Sequence, residues 1–294
     1  MALSFDAYSI AGLTLGVTGP PGLTLPDPGP LYAPFALEEP EEADLRVRVE
    51  AGTPWTPDGR DRIFNGGPAW SLHRRGTDFS LVFQPPDEAR PLWEARADAG
   101  FSRVRFTTAL PAPGRPLPFH PLGYPAGQLL VLHALAARNG LLVHAAGFTA
   151  QGRAFVFPGK SGAGKSTLTR LILAREGFDP FTDDRAAIRE ENSRFTARGT
   201  PWAGDAGVAK NAAAPMGGLF FLAHAPRTRI SPLSPGQALE RLLPTASLPW
   251  YDQGLLDPTL ALAGRLCENV PAWEFAFTPD AGAVEALEKA VSEI

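Results

Sequence analysis

The sequence predicts an α/β protein whose second half is built on a mixed sheet, preceded by a smaller β-rich domain. Three observations carry that expectation. In residues 1–107 apolar and polar residues alternate, as in LRVRV at 45–49, FSLVF at 79–83 and FSRVRFT at 101–107; this is the period-two pattern of half-buried strands. From residue 140 onward, short apolar runs are interleaved with segments of helical period, which is the pattern of α/β architecture. Between one such run and one such helix stands GKSGAGKST, residues 159–167.

The β-rich module spans 1–107. Clusters of Gly and Pro at 18–22, 26–30 and 65–68 separate its strands, so it reads as mostly antiparallel. It carries no chemistry, which leaves substrate or partner recognition as its candidate role. The acidic run EEPEEAD at 38–44 contains a proline and almost no apolar residue, and reads as a solvated loop. Residues 108–123 contain five prolines and no helical period, the composition of a stiff linker.

The second domain, 124–294, opens with a helix. Leu129, Leu130, Leu132 and Leu135 lie on one stripe, and Asn139-Gly140 is a C-terminal stop. Strands follow at 141–148 and 154–157, then the glycine loop, then a helix over 166–176 with Gly177 beyond its end. Further strands are expected at 185–190, 195–200, 218–223 and 272–277. A helix at 234–243 begins with Ser234 at the N-cap and Pro235 at N1, and an amphipathic helix capped by Thr278 closes the chain. The stretch 202–218 is rich in Ala and Gly and reads as a mobile loop near the site, with Lys210 as a candidate phosphate or substrate contact.

Composition excludes several classes. The formal charge of −4 leaves no overall basic face for nucleic acid. No apolar run reaches the roughly 18 residues of a membrane span, and the N-terminal residues lack a basic leader; a cytoplasmic protein is the expectation. Cys267 is the sole cysteine, so no intramolecular disulfide can form. It reads as a small buried group.

The loop at 159–167 holds two of the chain's four lysines, Lys160 and Lys165. An ammonium is a compact charge that fits among phosphate oxygens where a planar guanidinium does not. Gly159, Gly162 and Gly164 allow successive N–H groups to turn inward as an anion nest, and the following helix points its positive end at the same spot. This is the Walker A pattern, G-x-x-x-x-G-K-[ST], which a random chain of this length matches roughly once in a hundred times. Lys165 is placed to reach the β- and γ-phosphates and the Ser166 hydroxyl to bind Mg²⁺. Ser161, Ala163 and Thr167 complete the nucleotide-binding stretch. Thr167 stands where a dinucleotide fingerprint needs Gly, and Ala163 where a nucleophile elbow needs Gly.

A phosphate loop needs a carboxylate for its metal. Asp183-Asp184 end a short apolar segment downstream of the loop. One acid of such a pair can hold Mg²⁺ while the other accepts a proton from an attacking hydroxyl. Of the five histidines, His144 lies directly upstream of the loop; His73, His120, His133 and His224 have no metal-ligand spacing.

The segment HAAGFTAQGRAFVFPGKSGAGKST at 144–167, followed by DDRAAI at 183–188, resembles the catalytic core of HPr kinase/phosphorylase and its smaller HPr-kinase-related relatives. The resemblance covers roughly 124–223. It implies a P-loop core of the HPr kinase and phosphoenolpyruvate-carboxykinase type, with ATP and Mg²⁺ as cofactors. It further implies Lys165 on the transferred phosphate, Asp183 as base, Asp184 with Ser166 on Mg²⁺, and His144 beside the reacting group. The implied reaction is phosphoryl transfer to a hydroxyl of a protein or peptide serine, or of a small molecule, in a chain that can form homo-oligomers. Arg198-Gly199 lacks the acid that precedes this pair in the bacterial HPr enzymes, which puts a reverse phosphorylase activity in doubt. Two other readings remain: a nucleotide-dependent switch without transfer, and a carboxykinase-like lyase, for which no histidine–lysine metal constellation is evident.

Overall fold

The computed structural model describes residues 4–38, 42–112 and 114–294. The chain divides into two compact units, 1–137 and 138–294.

The first unit is one nine-stranded sheet. Its strands are β1 (Ser4–Ile10), β2 (Leu13–Gly19), β3 (Ala36–Leu37), β4 (Leu45–Ala51), β5 (Arg62–Asn65), β6 (Trp70–Arg75), β7 (Asp78–Phe83), β8 (Trp93–Ala97) and β9 (Arg103–Thr108). They run in the order β3-β1-β2-β4-β9-β8-β7-β6-β5. All neighbours are antiparallel except β2/β4 and β4/β9, which are parallel. The alternation read from the sequence sets the two faces. In β4, Leu45, Val47 and Val49 are buried while Arg46 and Arg48 are exposed.

Two expectations change here. Helix α1 (Ala126–Ala136), grouped from sequence with the loop-bearing half, falls in the first unit: His133 stacks on Phe101 at 4.4 Å, and Leu130 is buried. Residues 108–123 are also no free linker. Leu117 and Leu122 are fully buried, the Tyr32 hydroxyl donates to the Leu122 carbonyl, and Leu117 N–H donates to Thr24. Proline-rich chain without regular N–H donors packs well as irregular cover over a sheet face, provided its apolar side chains are needed there. Of the acidic run, residues 39–41 lie outside the described residues, as does Pro113 in the proline-rich segment; Glu38, Glu42 and Asp44 are exposed, and Asp44 accepts the N–H of Thr14.

The second unit is built around β10 (Gly140–Ala150), β11 (Arg153–Pro158), β12 (Asp179–Thr182), β13 (Arg185–Glu191), β14 (Arg194–Arg198), β15 (Ala213–His224), β16 (Arg229–Leu233) and β17 (Ala272–Phe277). β10 changes partner along its length: residues 140–144 pair with β13, and 145–150 with β11. β15 does the same, pairing first with β14 and then, in parallel, with β11 and β17. These two long strands tie the unit together. Helices α2 (Lys165–Leu173), α3 (Pro235–Leu242), α4 (Gln253–Asn269) and α5 (Ala281–Ser292) flank it. α2 and α5 bury Leu168, Ile172 and Leu287 with the Phe155, Phe157 and Phe220 group; α3 and α4 bury Leu242, Leu262 and Leu266 with Val143 and Leu219. Ser234 caps α3 as expected and, with Gln237, completes a capping box. The last helix is capped by Asp280 rather than Thr278, whose hydroxyl donates to Ala225 instead. Among the described residues, no helix is long and apolar enough to cross a membrane.

Candidate functional site

The place where β10 changes partner is also where the candidate residues meet. The His144 carbonyl accepts the N–H of Gly159, which fixes the start of the glycine loop. The next residue, Ala145, donates its N–H to the Asp184 carbonyl, which fixes the aspartate turn. One dipeptide thus anchors both chemical loops.

In the loop, Gly162 and Gly164 take φ of +81° and +98°, the left-handed region that glycine reaches without strain. A side chain at Gly164 would also meet the Phe277 ring at 3.1 Å. α2 starts at Lys165 with no side-chain cap on its first turn, so the helix offers its N–H end to the cleft. Lys165 is buried, and its ammonium donates to the carbonyls of Gly159 at 2.8 Å and Lys160 at 3.1 Å. Burial draws its pKa below the usual lysine value; Asp184 and Asp183 pull it back up, and Arg185 pushes it down. Lys160 extends its side chain outward, so its part here is the backbone carbonyl that it lends to Lys165.

The two aspartates are placed differently. Asp183 is fully buried, and its carboxylate accepts three backbone N–H groups: Gly204 at 2.9 Å, Ala206 at 2.7 Å and Val208 at 3.2 Å. Asp184 is half-buried; its Oδ1 lies 2.8 Å from His144 Nε2 and its Oδ2 lies 3.6 Å from an Arg185 nitrogen. Burial alone would raise the Asp184 pKa. The His144 hydrogen bond, with the charges of Arg185 and Lys165, outweighs it and holds the carboxyl below its ordinary range. The turn is pinned from behind by two hydroxyls on one carbonyl: Thr182 at 2.9 Å and Thr200 at 2.7 Å both donate to Arg185 O.

His144, Ser161, Gly162, Gly164, Lys165, Ser166, Thr167, Asp183 and Asp184 all line one cleft of about 360 Å³. Gly159, Lys160 and Ala163 shape the loop without lining it. Gly204, Asp205 and His224 also line the cleft and were not singled out from sequence as site residues. His224 ends β15 and donates from Nε2 to the Gly162 carbonyl at 2.9 Å. Its signal was available: a polar residue directly after the apolar run 218–223. The N–H donors of 204–208 carry no side-chain signature at all.

Part of 202–218 borders the site as expected, but it is not one free loop. Residues 204–208 are tied to Asp183, Lys210 N–H donates to Phe181, and β15 begins at Ala213. Lys210 pairs with Asp179 and does not line the cleft. Gly199 explains how the segment comes so close: a Cβ there would lie 1.9 Å from the Lys210 carbonyl oxygen.

Among the described residues, no group of three or more His, Cys, Asp or Glu converges as a ready metal cage. Mg²⁺ is commonly held by one or two carboxylates plus phosphate and water, and Ser166 with Asp184 matches that smaller donor set. No family model matches the chain, and no curated protein matches it.

Proposed function

We propose that the second unit is an ATP- and Mg²⁺-dependent phosphotransferase acting on a hydroxyl, of the HPr-kinase-like kind, with a protein or peptide serine as the acceptor class and a small alcohol as the alternative. One observation carries the reading: an uncapped helix end, the Lys165 ammonium and the Asp184–His144 pair face a single cleft.

The donor set fits a triphosphate. The loop N–H groups and Lys165 would hold its phosphates, and Ser166 and Asp184 would hold Mg²⁺. The nucleotide supplies the phosphoryl group, and the metal neutralises charge on it. Lys165 adds a positive charge that burial makes more effective than in water. His224 and Gly162 fix the loop rim. His144 holds Asp184 in one orientation and can pass a proton to or from it.

The resemblance assigns the base to Asp183. Three N–H donors already occupy its oxygens, so it accepts a substrate proton only by loosening the 204–208 segment. Asp184, by contrast, is held by the side chains of His144 and Arg185 and not by backbone N–H groups. The same hydrogen bonds favour a second reading, a nucleotide-gated switch in which Asp183 couples the cleft to the 204–208 segment.

The experiment pairs equilibrium binding of a fluorescent ATP analogue with transfer from γ-labelled ATP to serine-containing peptides and small alcohols. A kinase labels an acceptor, and Asp184→Asn stops labelling while analogue binding persists. A switch binds the analogue and labels nothing, with 204–208 changing its hydrogen exchange. Absence of analogue binding defeats both.

A further inference from the structure

The first unit carries a site of its own. On β4 the exposed positions are Arg46 and Arg48, and on the adjacent β9 they are Arg103 and Arg105. The register sets Arg46 beside Arg103 and Arg48 beside Arg105, and Arg105 in turn beside Arg96 of β8. Five guanidiniums therefore stand on one face of neighbouring strands, around a shallow cavity of about 650 Å³. Like charges set side by side across a sheet are destabilising. Edge protection does not explain them, because β4 and β9 are the middle strands of the nine. The chain as a whole is acidic, at −4, so this is a local reversal of charge.

The acids on the same face neutralise it only in part, three against five arginines. Glu50 is shared between Arg48 at 3.5 Å and Arg105 at 3.3 Å, and Asp98 approaches Arg103 only to 3.8 Å. Asp78 pairs closely with Arg96, at 2.8 Å. Among the described residues, no acidic side chain comes within ion-pair distance of Arg46.

We propose that this arginine-lined sheet face is a docking site for an extended acidic peptide segment of a partner protein. Alternate residues of a strand lie about 7 Å apart, and neighbouring strands about 5 Å apart. The arginines thus form a grid of that spacing, and an extended peptide with an acid at every second position repeats the longer interval. Each guanidinium offers a fork that fits one carboxylate. Among the described residues, no aromatic side chain lines the cavity, whereas a single-stranded nucleic-acid platform stacks bases on aromatic rings.

The test uses the full chain and fluorescence anisotropy with three labelled probes: a peptide alternating Glu and Ser, the same peptide with Gln for Glu, and a single-stranded oligonucleotide. The Glu peptide is expected to bind, the Gln peptide to bind at least about tenfold more weakly, and binding to fall severalfold as salt rises from about 50 to about 200 mM. The double variant R46E/R105E is expected to lose roughly tenfold or more. Arg60→Glu, on an exposed arginine outside this face, is expected to change nothing. Unchanged affinity in R46E/R105E, or equal binding of the Gln peptide, overturns the proposal. Tighter binding of the oligonucleotide than of the Glu peptide overturns it in favour of nucleic acid. Binding of the ATP analogue is expected to be the same in all variants, so this site and the nucleotide reading fail or stand separately.

Discussion

The two units handle charge in opposite ways. In the first, arginines project from one face of β4, β8 and β9, spaced by the pleat. In the second, Lys165 at the start of α2, Asp183 and Asp184 in the turn after β12, and His224 at the end of β15 line one cleft. The array on the sheet face spaces its arginines at the strand and pleat intervals, which suits recognition of something extended. Turns, a helix start and a strand end bring the cleft's charged groups to one place, which is what reactive chemistry requires. The depth of burial follows the same division: Arg48 and Arg103 are 77% and 85% exposed along their side chains, while Lys165 and Asp183 are 7% and 1% exposed.

The largest effect should come from Lys165. Lys165→Met removes the buried ammonium from both loop carbonyls and from the cleft. Affinity for the ATP analogue and any phosphotransfer are expected to fall roughly a hundredfold or more, with acidic-peptide binding by the first unit unchanged. Loss of both activities together would mean the units are not chemically separate.

Each unit also contains a glycine that lets two backbone segments touch. A Cβ at Gly199 would lie 1.9 Å from Lys210 O, and one at Gly127 would lie 2.0 Å from Leu122 O. Neither clash can be relieved by rotating a side chain. Each substitution to Ala is expected to cost about 3 kcal/mol or more. The two should be distinguishable by where hydrogen exchange rises: near 117–136 for Gly127→Ala, and across the 181–182 and 204–212 segments for Gly199→Ala. Exchange rising everywhere in both variants would show that the two units unfold as one.

The contrast also explains what could be read from the sequence. β10, β11, α2 and the 185–191 strand were legible because local pattern decides them: apolar runs, turn glycines and a helix start within a few residues of one another. Ser234 at its cap was legible for the same reason. α4 was not, because Gly254 and Pro258 interrupt its pattern near the start; Asp252 caps it, and burial of Leu262 and Leu266 stabilises it. β16 carries Pro232, which suggests a loop, yet β16 lies at the sheet edge, where a missing N–H is tolerated. Within the site, the residue types were legible but their division of labour was not. Asp183 and Asp184 are adjacent in sequence, and only the fold shows that one faces the N–H groups of 204–208 and the other faces His144.

Cys267 lies outside the cleft and tests whether a reactive group elsewhere in the second unit stays neutral. It lies on α4, buried among Leu262, Leu266 and Val270. Burial, helped by Glu268, pushes its pKa from 9.0 up to about 11. A raised acid pKa favours the neutral thiol in the fold, so its contribution is complete below pH 9 and is lost as pH rises toward 11. Relative to Cys267→Ala, the native chain should lose about 2 kcal/mol of stability across that window. Denaturant midpoints of both proteins at pH 8 and at pH ~10.5 would measure it, and no difference in slope would mean the thiol is more accessible than its burial indicates.

The smallest effect returns to the arginine face. Glu50 is the acid that two arginines share, at 3.5 and 3.3 Å, and it is about one-third exposed. Such half-open pairs contribute little to stability, so Glu50→Gln should change it by less than about 0.5 kcal/mol. The same change frees Arg48 and Arg105 from their shared counter-ion. If these arginines serve recognition, the Glu-Ser peptide should bind the Glu50→Gln variant about two- to threefold more tightly, with a steeper dependence on salt. If they serve only the sheet, affinity will not move and stability will. One anisotropy titration and one urea curve thus separate a face arranged for a partner from a face that only balances its own charges.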